Sequence, residues 1–237
     1  MNACVFAFST VPDIAGLRRL HRLPDALSDS EIAEYAFQRR RAEHVDDLLP
    51  PHLQRIAAFA VARIVDGRFS LYASVETDER ALITGFFESV TGAAEMAHWS
   101  EQEASLACLR TRALLNVVPL ASLSVLNGAT TSLGEWLSGC AQVADLASLA
   151  RLAGIPLPRG FMHEAVWQIV LAGKLDLLRA DTELRALSAF LLQMRHQYVI
   201  GASDQAELAS IEAQVRQHLL HSFAAPHLRE FEQNWRS

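Results

Sequence analysis

The sequence predicts an α/β fold, a mixed sheet with helices on both faces followed by a helical C-terminal extension. Three observations carry this. Residues 4–10 alternate with a period of two, with Phe6, Phe8 and Thr10 on one side and Val5, Ala7 and Ser9 on the other. Both sides are apolar or small, as in a strand covered on both faces at the middle of a sheet. Asp66-Gly67 separates two strand-patterned stretches and reads as a hairpin turn. From residue 103 onward the apolar spacing is almost wholly helical.

Taken in order, the first strand breaks at Val11-Pro12-Asp13, and residues 15–27 form a connector with short helical character. Ser28-Asp29-Ser30-Glu31 supplies capping residues for a helix through Arg41, with Ile32, Tyr35 and Phe37 among its apolar positions. Pro50-Pro51-His52-Leu53 precedes a long strand over 55–65. The return strand over 69–75 sets Phe69, Leu71, Ala73 and Val75 against Ser70, Tyr72 and Ser74. A helix over 77–91 buries Leu82, Phe86, Phe87 and Val90, a short strand spans 95–99, and a helix spans 103–116. Further helices are expected over 132–138, 143–153, 161–172, 175–198, 204–221 and 226–235, with stops at Gly154-Ile155-Pro156 and Ala172-Gly173.

Composition narrows the function classes. A chain of 237 residues that is 51% hydrophobic and 20% charged is that of an ordinary globular protein. A net charge of -6 argues against a strong generic nucleic-acid binder, which needs a basic surface. Cys4, Cys108 and Cys140 are odd in number, widely spaced and set in apolar stretches, so buried free thiols in a reducing cytoplasm are expected. The N-terminus lacks the pattern of a signal peptide, and no apolar run reaches the ~18 residues of a membrane span. The expected location is cytoplasmic, with no membrane partner.

Val5-Phe6-Ala7-Phe8-Ser9-Thr10-Val11-Pro12-Asp13 resembles the V-F-D-I-E-T-V-P-D strand of the 3′–5′ exonucleases related to the proofreading domain of B-family DNA polymerases. The resemblance continues through Pro51-His52-Leu53. It then includes Trp99, Leu106, Leu109, Arg112, Ala113, Leu114 and Leu115, against W-N-G-x-x-F-D-L-P-V-L-x-x-R-A-L-L. Thr130 to Gly139 is similar to H-L-D-L-M-D-V-L-x-G, and Ser148 to Pro156 to E-I-A-R-L-L-G-F-P. Val166-Trp167 and Leu171-Ala172-Gly173 follow. The resemblance implies a ribonuclease H-like sheet over 1–202, with 203–237 as a helical extension packed on the same domain.

It also implies where four metal-holding acids would stand, and each position has lost its carboxylate. The Asp-x-Glu of the first strand falls on Ala7 and Ser9 and the next metal-binding Asp on Ser105, while the first Asp of H-L-D-L-M-D-V-L-x-G, outside these four, falls on Ser132. In Y-C-E-T-D, the ungapped register from Gly173 puts the tyrosine on Asp181, the glutamate on Glu183 and the final aspartate on Arg185. A register in which Glu183 itself replaces that aspartate stays open. Two-metal hydrolysis needs several carboxylates around the ion pair, and a guanidinium repels the cation it replaces.

The expected function is therefore that of a catalytically inactive 3′–5′ exonuclease-like protein, a pseudoenzyme without a metal cofactor. It would bind a protein partner, itself, or single-stranded nucleic acid. The alternative is an active exonuclease using Mg²⁺ or Mn²⁺ at a site rebuilt from Glu183, Asp181 and acids such as Glu101 or Glu103. Asp181 and Arg185, spaced i, i+4, either pair across the vacated site or lie together on a solvated helix face. Arg39, Arg40, Arg41 and Trp99 are the candidate nucleic-acid contacts, although the arginine run also fits a solvated helix end and Trp99, Trp136 and Trp167 also fit a core. His98 is the one candidate base near Ser105, with a structural role as its other reading.

Overall fold

In the computed structural model, which describes residues 2–44, 48–93, 95–99, 103–119, 130–138, 145–157 and 163–236, β1 (Ala3–Pro12) is buried along its whole length. It pairs antiparallel with β2 (Gln54–Val65) and parallel with β4 (Glu95–His98). Outside these lie β3 (Arg68–Val75), antiparallel to β2, and β5 (Thr130–Ser132), parallel to β4. The order is β3-β2-β1-β4-β5. With helices on both faces this is the ribonuclease H-like α/β architecture, and β1 is central as its two-sided apolar pattern requires.

The local signals act as their chemistry dictates. Asp66 and Gly67 take φ of 51° and 70°, the left-handed pair that a tight two-residue hairpin needs. Ser28 accepts from the Glu31 amide while Glu31 reaches back to the Ser28 amide. This capping box starts α2 (Asp29–Glu43), after the short α1 (Ile14–His21). Asp78 caps α3 (Glu79–Ser89). One face of the sheet carries α3 and α4 (Glu103–Leu115), with Phe6, Phe8 and Phe59 each in ring contact with Phe86 of α3 at 4.8–5.7 Å between centroids.

The other face carries α8 (Leu175–Val199), which crosses β1, β2 and β3. The chain reaches it through α5 (Leu133–Ser138), α6 (Leu146–Leu152) and α7 (His163–Leu171). Beyond it come α9 (Gln205–His221) and α10 (Pro226–Asn234). Ile211, Val215, Leu219, Leu228, Phe231 and Trp235 enter the same apolar core as Val5 and Phe190. Gln214 of α9 accepts from the Phe69 amide at 3.1 Å and so covers part of the open edge of β3. Among the described residues, no helix is long and apolar enough to cross a membrane.

Two expectations are corrected. β5 is a strand where only loop and helix were expected, because three residues are too few to display an alternating pattern. Trp136, expected in the core, is 50% exposed. The six-residue α5 turns it to the surface, where its ring meets the edge of His196 at 4.2 Å between centroids. Cys140 lies outside the described residues, whereas Cys4 and Cys108 are buried free thiols, both pushed up to about 12 by burial.

Burial leaves a pH signature. His196 has no hydrogen-bond partner on either ring nitrogen, and desolvation lowers its pKa from the ordinary 6.5. Desolvation also lowers His218, with the Glu183 carboxylate opposing the shift. The native state therefore takes up these protons less readily than the unfolded chain. Nothing is lost above the unfolded value, and stability declines as pH falls through it towards the depressed native values. Urea midpoints should drop between about pH 7 and pH 5, and His196→Phe should flatten that decline.

Candidate functional site

The site forms where the C-terminal half of β1 meets one face of α8. Leu178, Asp181, Thr182 and Arg185 recur at helical spacing, so their side chains project to a common side. Arg185 lies over β1. Its Nε donates to Asp181 Oδ2 at 2.9 Å, Nη1 to the Phe8 carbonyl at 3.0 Å and Nη2 to Ser9 Oγ at 2.6 Å. One planar guanidinium thus ties its own helix to two consecutive residues of the central strand.

Proton directions around Ser9 follow from this. Thr182 Oγ1 donates to the Leu178 carbonyl at 2.7 Å, so its one hydrogen is committed. Ser9 and Thr182 are 2.7 Å apart, and the shared hydrogen must therefore come from Ser9. Ser9 accepts from Arg185 and donates to Thr182. Its hydroxyl is buried, its proton is directed to Thr182, and among the described residues no imidazole is hydrogen-bonded to it. This is the chemistry of a structural hydroxyl.

Ala7 has no exposure and belongs to a cluster made only of alanines. Ala7 faces Ala60 across β1–β2, Ala60 faces Ala73 across β2–β3, and Ala186 of α8 lies against them. The row of methyl groups lets α8 approach the sheet closely. At the neighbouring step the β1–β2 register shifts between Ser9 and Thr10, a bulge that leaves Ala57 unmatched. There Thr10 Oγ1 donates to Gln54 Oε1, and Gln54 Nε2 donates to the Leu49 carbonyl.

Glu183 lies on a different side of α8. Its carboxylate is buried and accepts from Arg179 Nε at 3.0 Å, with His227 Nε2 of α10 at 2.5 Å. It anchors the C-terminal helix, and the structure does not bring it together with Ser9. Ser105 is in the first turn of α4 and Ser132 ends β5, but their side chains, like that of Glu103, lie outside the described residues, as does Glu101. Among the described residues no group of three or more His, Cys, Asp or Glu side chains is placed to hold a metal ion. A methyl group, a committed hydroxyl and a guanidinium do not form a donor set for a divalent cation.

The remaining candidates are scattered. Trp99 is 1% exposed and packs in the core, so its faces are closed to a stacking base. Arg41 is held by Glu164 of α7 at 2.8 Å and Glu34 at 3.1 Å. Arg39 and Arg40 stand on the exposed end of α2 beside a cavity. His98 is buried against Phe6, and its Nδ1 donates to the Trp99 carbonyl at 2.9 Å, so that nitrogen carries a hydrogen.

A second polar cluster escaped sequence reasoning. Arg112 of α4 is buried with Glu79 and Asp13, donating from Nε to both Glu79 oxygens at 2.9 Å and from Nη1 to Asp13 Oδ2. Burial pulls the guanidinium down, but the bonds to Glu79 and Asp13 outweigh it and hold the pKa above the ordinary value. This cluster ties the end of β1 to α3 and α4. Asp13 and Arg112 each fall on a family motif, but neither motif says that the two meet.

A family model described as a predicted 3′–5′ exonuclease related to the exonuclease domain of PolB matches residues 46–235. The match reaches through α9 and α10, while β1 lies ahead of it. No curated protein and no solved structure matches the chain.

Proposed function

Because the chain belongs to the family of predicted 3′–5′ exonucleases related to the exonuclease domain of PolB, we propose that it has lost hydrolysis and acts as a catalytically inactive member that binds a protein partner or a second copy of itself. The observation that carries this reading is Arg185. Its guanidinium bonds to Ser9 and to the Phe8 carbonyl, beside the strand positions where the family motif has carboxylates. A permanent cation there opposes a divalent ion electrostatically. Ala7 and Ser9 supply no anionic oxygen in its place.

Binding through a protein surface is favoured over nucleic acid by the net charge of -6, by the burial of Trp99 and by the engagement of Arg41 in two ion pairs. Two buried, unpaired cysteines fit a reducing cytoplasm. The rebuilt-site alternative needs Glu183, whose carboxylate is already engaged by Arg179 and His227.

Incubation with 3′-labelled single-stranded DNA and RNA in Mg²⁺ or Mn²⁺ should leave the strands intact. Degradation that disappears in Glu183→Gln would overturn the reading. Light scattering should give a mass above one chain, either alone or with a captured partner. Salt-sensitive anisotropy shifts with short oligonucleotides would instead place nucleic acid first.

Arg185→Met should lower stability by about 2–4 kcal/mol, since it leaves Asp181 buried without its cation and unpairs the Phe8 carbonyl. Adding Asp181→Leu should recover part of that loss, because no buried charge then remains. Urea titration of the two variants checks both expectations.

A further inference from the structure

β3 is the outer strand of the sheet, and its register with β2 runs unbroken from Arg68 to Val75. The Phe69 amide points away from β2, because it donates to Gln214 of α9 at 3.1 Å. By the alternation of an antiparallel ladder, Leu71 and Ala73 also turn their backbone N–H and C=O groups outward. Among the described residues nothing bonds those outward groups. β3 also lacks the proline, lysine or bulge that commonly keeps an edge from pairing.

The strand is complementary to itself. Turned antiparallel about Tyr72, it sets Arg68 of one copy opposite Glu76 of the other, Ser70 opposite Ser74, and the large Leu71 opposite the small Ala73. Leu71 and Ala73 then exchange their outward N–H and C=O groups with the other copy. Tyr72 meets its own counterpart in a pair without backbone bonds, where side chains stand closest. It is 51% exposed and rests on Phe59, with centroids 5.7 Å apart. Arg68 and Glu76 are exposed, and among the described residues neither is in an ion pair. The neighbouring registers that keep outward groups facing one another are poorer. Centring on Leu71 sets Glu76 against Asp66, and centring on Ala73 sets Arg68 against Asp78, whose carboxylate already caps α3.

We propose that two copies of the chain pair β3 against β3, antiparallel about Tyr72, and so continue the sheet across a two-fold axis. Charge complementarity chooses a second copy as the occupant, since the cation at one end of the edge and the anion at the other each find their opposite only when the strand meets itself. Gln214 holds the Phe69 amide, which confines the new ladder to its centre. This pairing rests on the self-association named above and gives it a surface.

Light scattering of the full chain and cross-linking of cysteine variants test it. In a Cys140→Ser background, with Cys4 and Cys108 buried, Tyr72→Cys should give a disulfide-linked dimer on oxidation with diamide. Facing residues of such a pair stand about 4.5 Å apart at Cα, within disulfide reach. Ser70→Cys, displaced from the axis, should not cross-link. Arg68→Glu should weaken dimerisation about tenfold with the circular dichroism unchanged, and adding Glu76→Arg should restore it. A dimer that is indifferent to Arg68→Glu and not cross-linked through Tyr72→Cys would overturn this surface and leave self-association standing. A single-chain mass at every concentration would overturn it too, and would leave the edge to a strand from another protein. Neither readout depends on hydrolysis, so strand cleavage would sink the inactive reading alone.

Discussion

Arg112→Met is expected to cost about 3–5 kcal/mol, a large share of the roughly 5–15 kcal/mol that holds a typical domain folded. Arg112, Asp13 and Glu79 are 7%, 6% and 7% exposed, so water cannot take over the charges when the cation is removed. The guanidinium grips Glu79 from Nε and Nη2, the latter at 2.6 Å, and reaches Asp13 from Nη1. The remaining carboxylate capacity is also filled. The Ile56 amide and Asn116 Nδ2 donate to Glu79 at 2.7 and 3.0 Å, and the Gly16 amide donates to Asp13 at 3.0 Å. The strand ends, α1, α3 and α4 are thus fastened at one point. Gly16 is required there, because a Cβ would come within 2.4 Å of Asp13 Oδ2. Methionine keeps much of the volume but leaves two carboxylates buried near one another without a cation. Arg112→Lys should fall between the two, since an ammonium cannot reproduce the fork. A urea-derived loss below about 1 kcal/mol for Arg112→Met would show that the cluster is not what fastens these elements.

Much of this architecture is legible in the sequence because it is local. The alternation through β1, the turn at Asp66-Gly67 and the Ser28/Glu31 box each lie within a few residues, and each forms as its period or capping chemistry requires. Contacts that join distant segments are legible only where something else supplies the pairing. Spacing along one helix made Asp181 and Arg185 a pair, and family resemblance put them opposite Ser9, 176 residues from Arg185. Nothing comparable announced that Arg112 would meet Asp13, 99 residues away, or that Arg41 would cross to Glu164. β5 stayed hidden for a different reason. It is a strand because β4 offers it an edge, and Thr130 to Ser132 carry no pattern of their own.

Returning an acid to position 7 tests whether α8 has closed the place where the family motif carries one. Ala7→Asp should destabilise the chain by about 3–5 kcal/mol, the combined cost of added volume in a tight layer and of a carboxylate without a partner. Ala60, Ala73 and Ala186 surround the position, and none of them offers a side-chain donor. Ala7→Val isolates the volume contribution, about 1–3 kcal/mol, so the excess in Asp measures the charge. Burial raises the native pKa of the introduced carboxyl above its unfolded value. The penalty should therefore be smallest at acid pH, where both states hold the proton, and should grow as pH rises through the unfolded value towards the native one. The same variant, alone or with Ser9→Glu and Arg185→Asp, is expected to gain no Mg²⁺- or Mn²⁺-dependent cleavage, because carboxylates can gather ions only where helix and strand stand apart. If Ala7→Asp instead proves as stable as the parent at neutral pH, α8 is free to withdraw, and the alanine layer is not what keeps the former acid position shut.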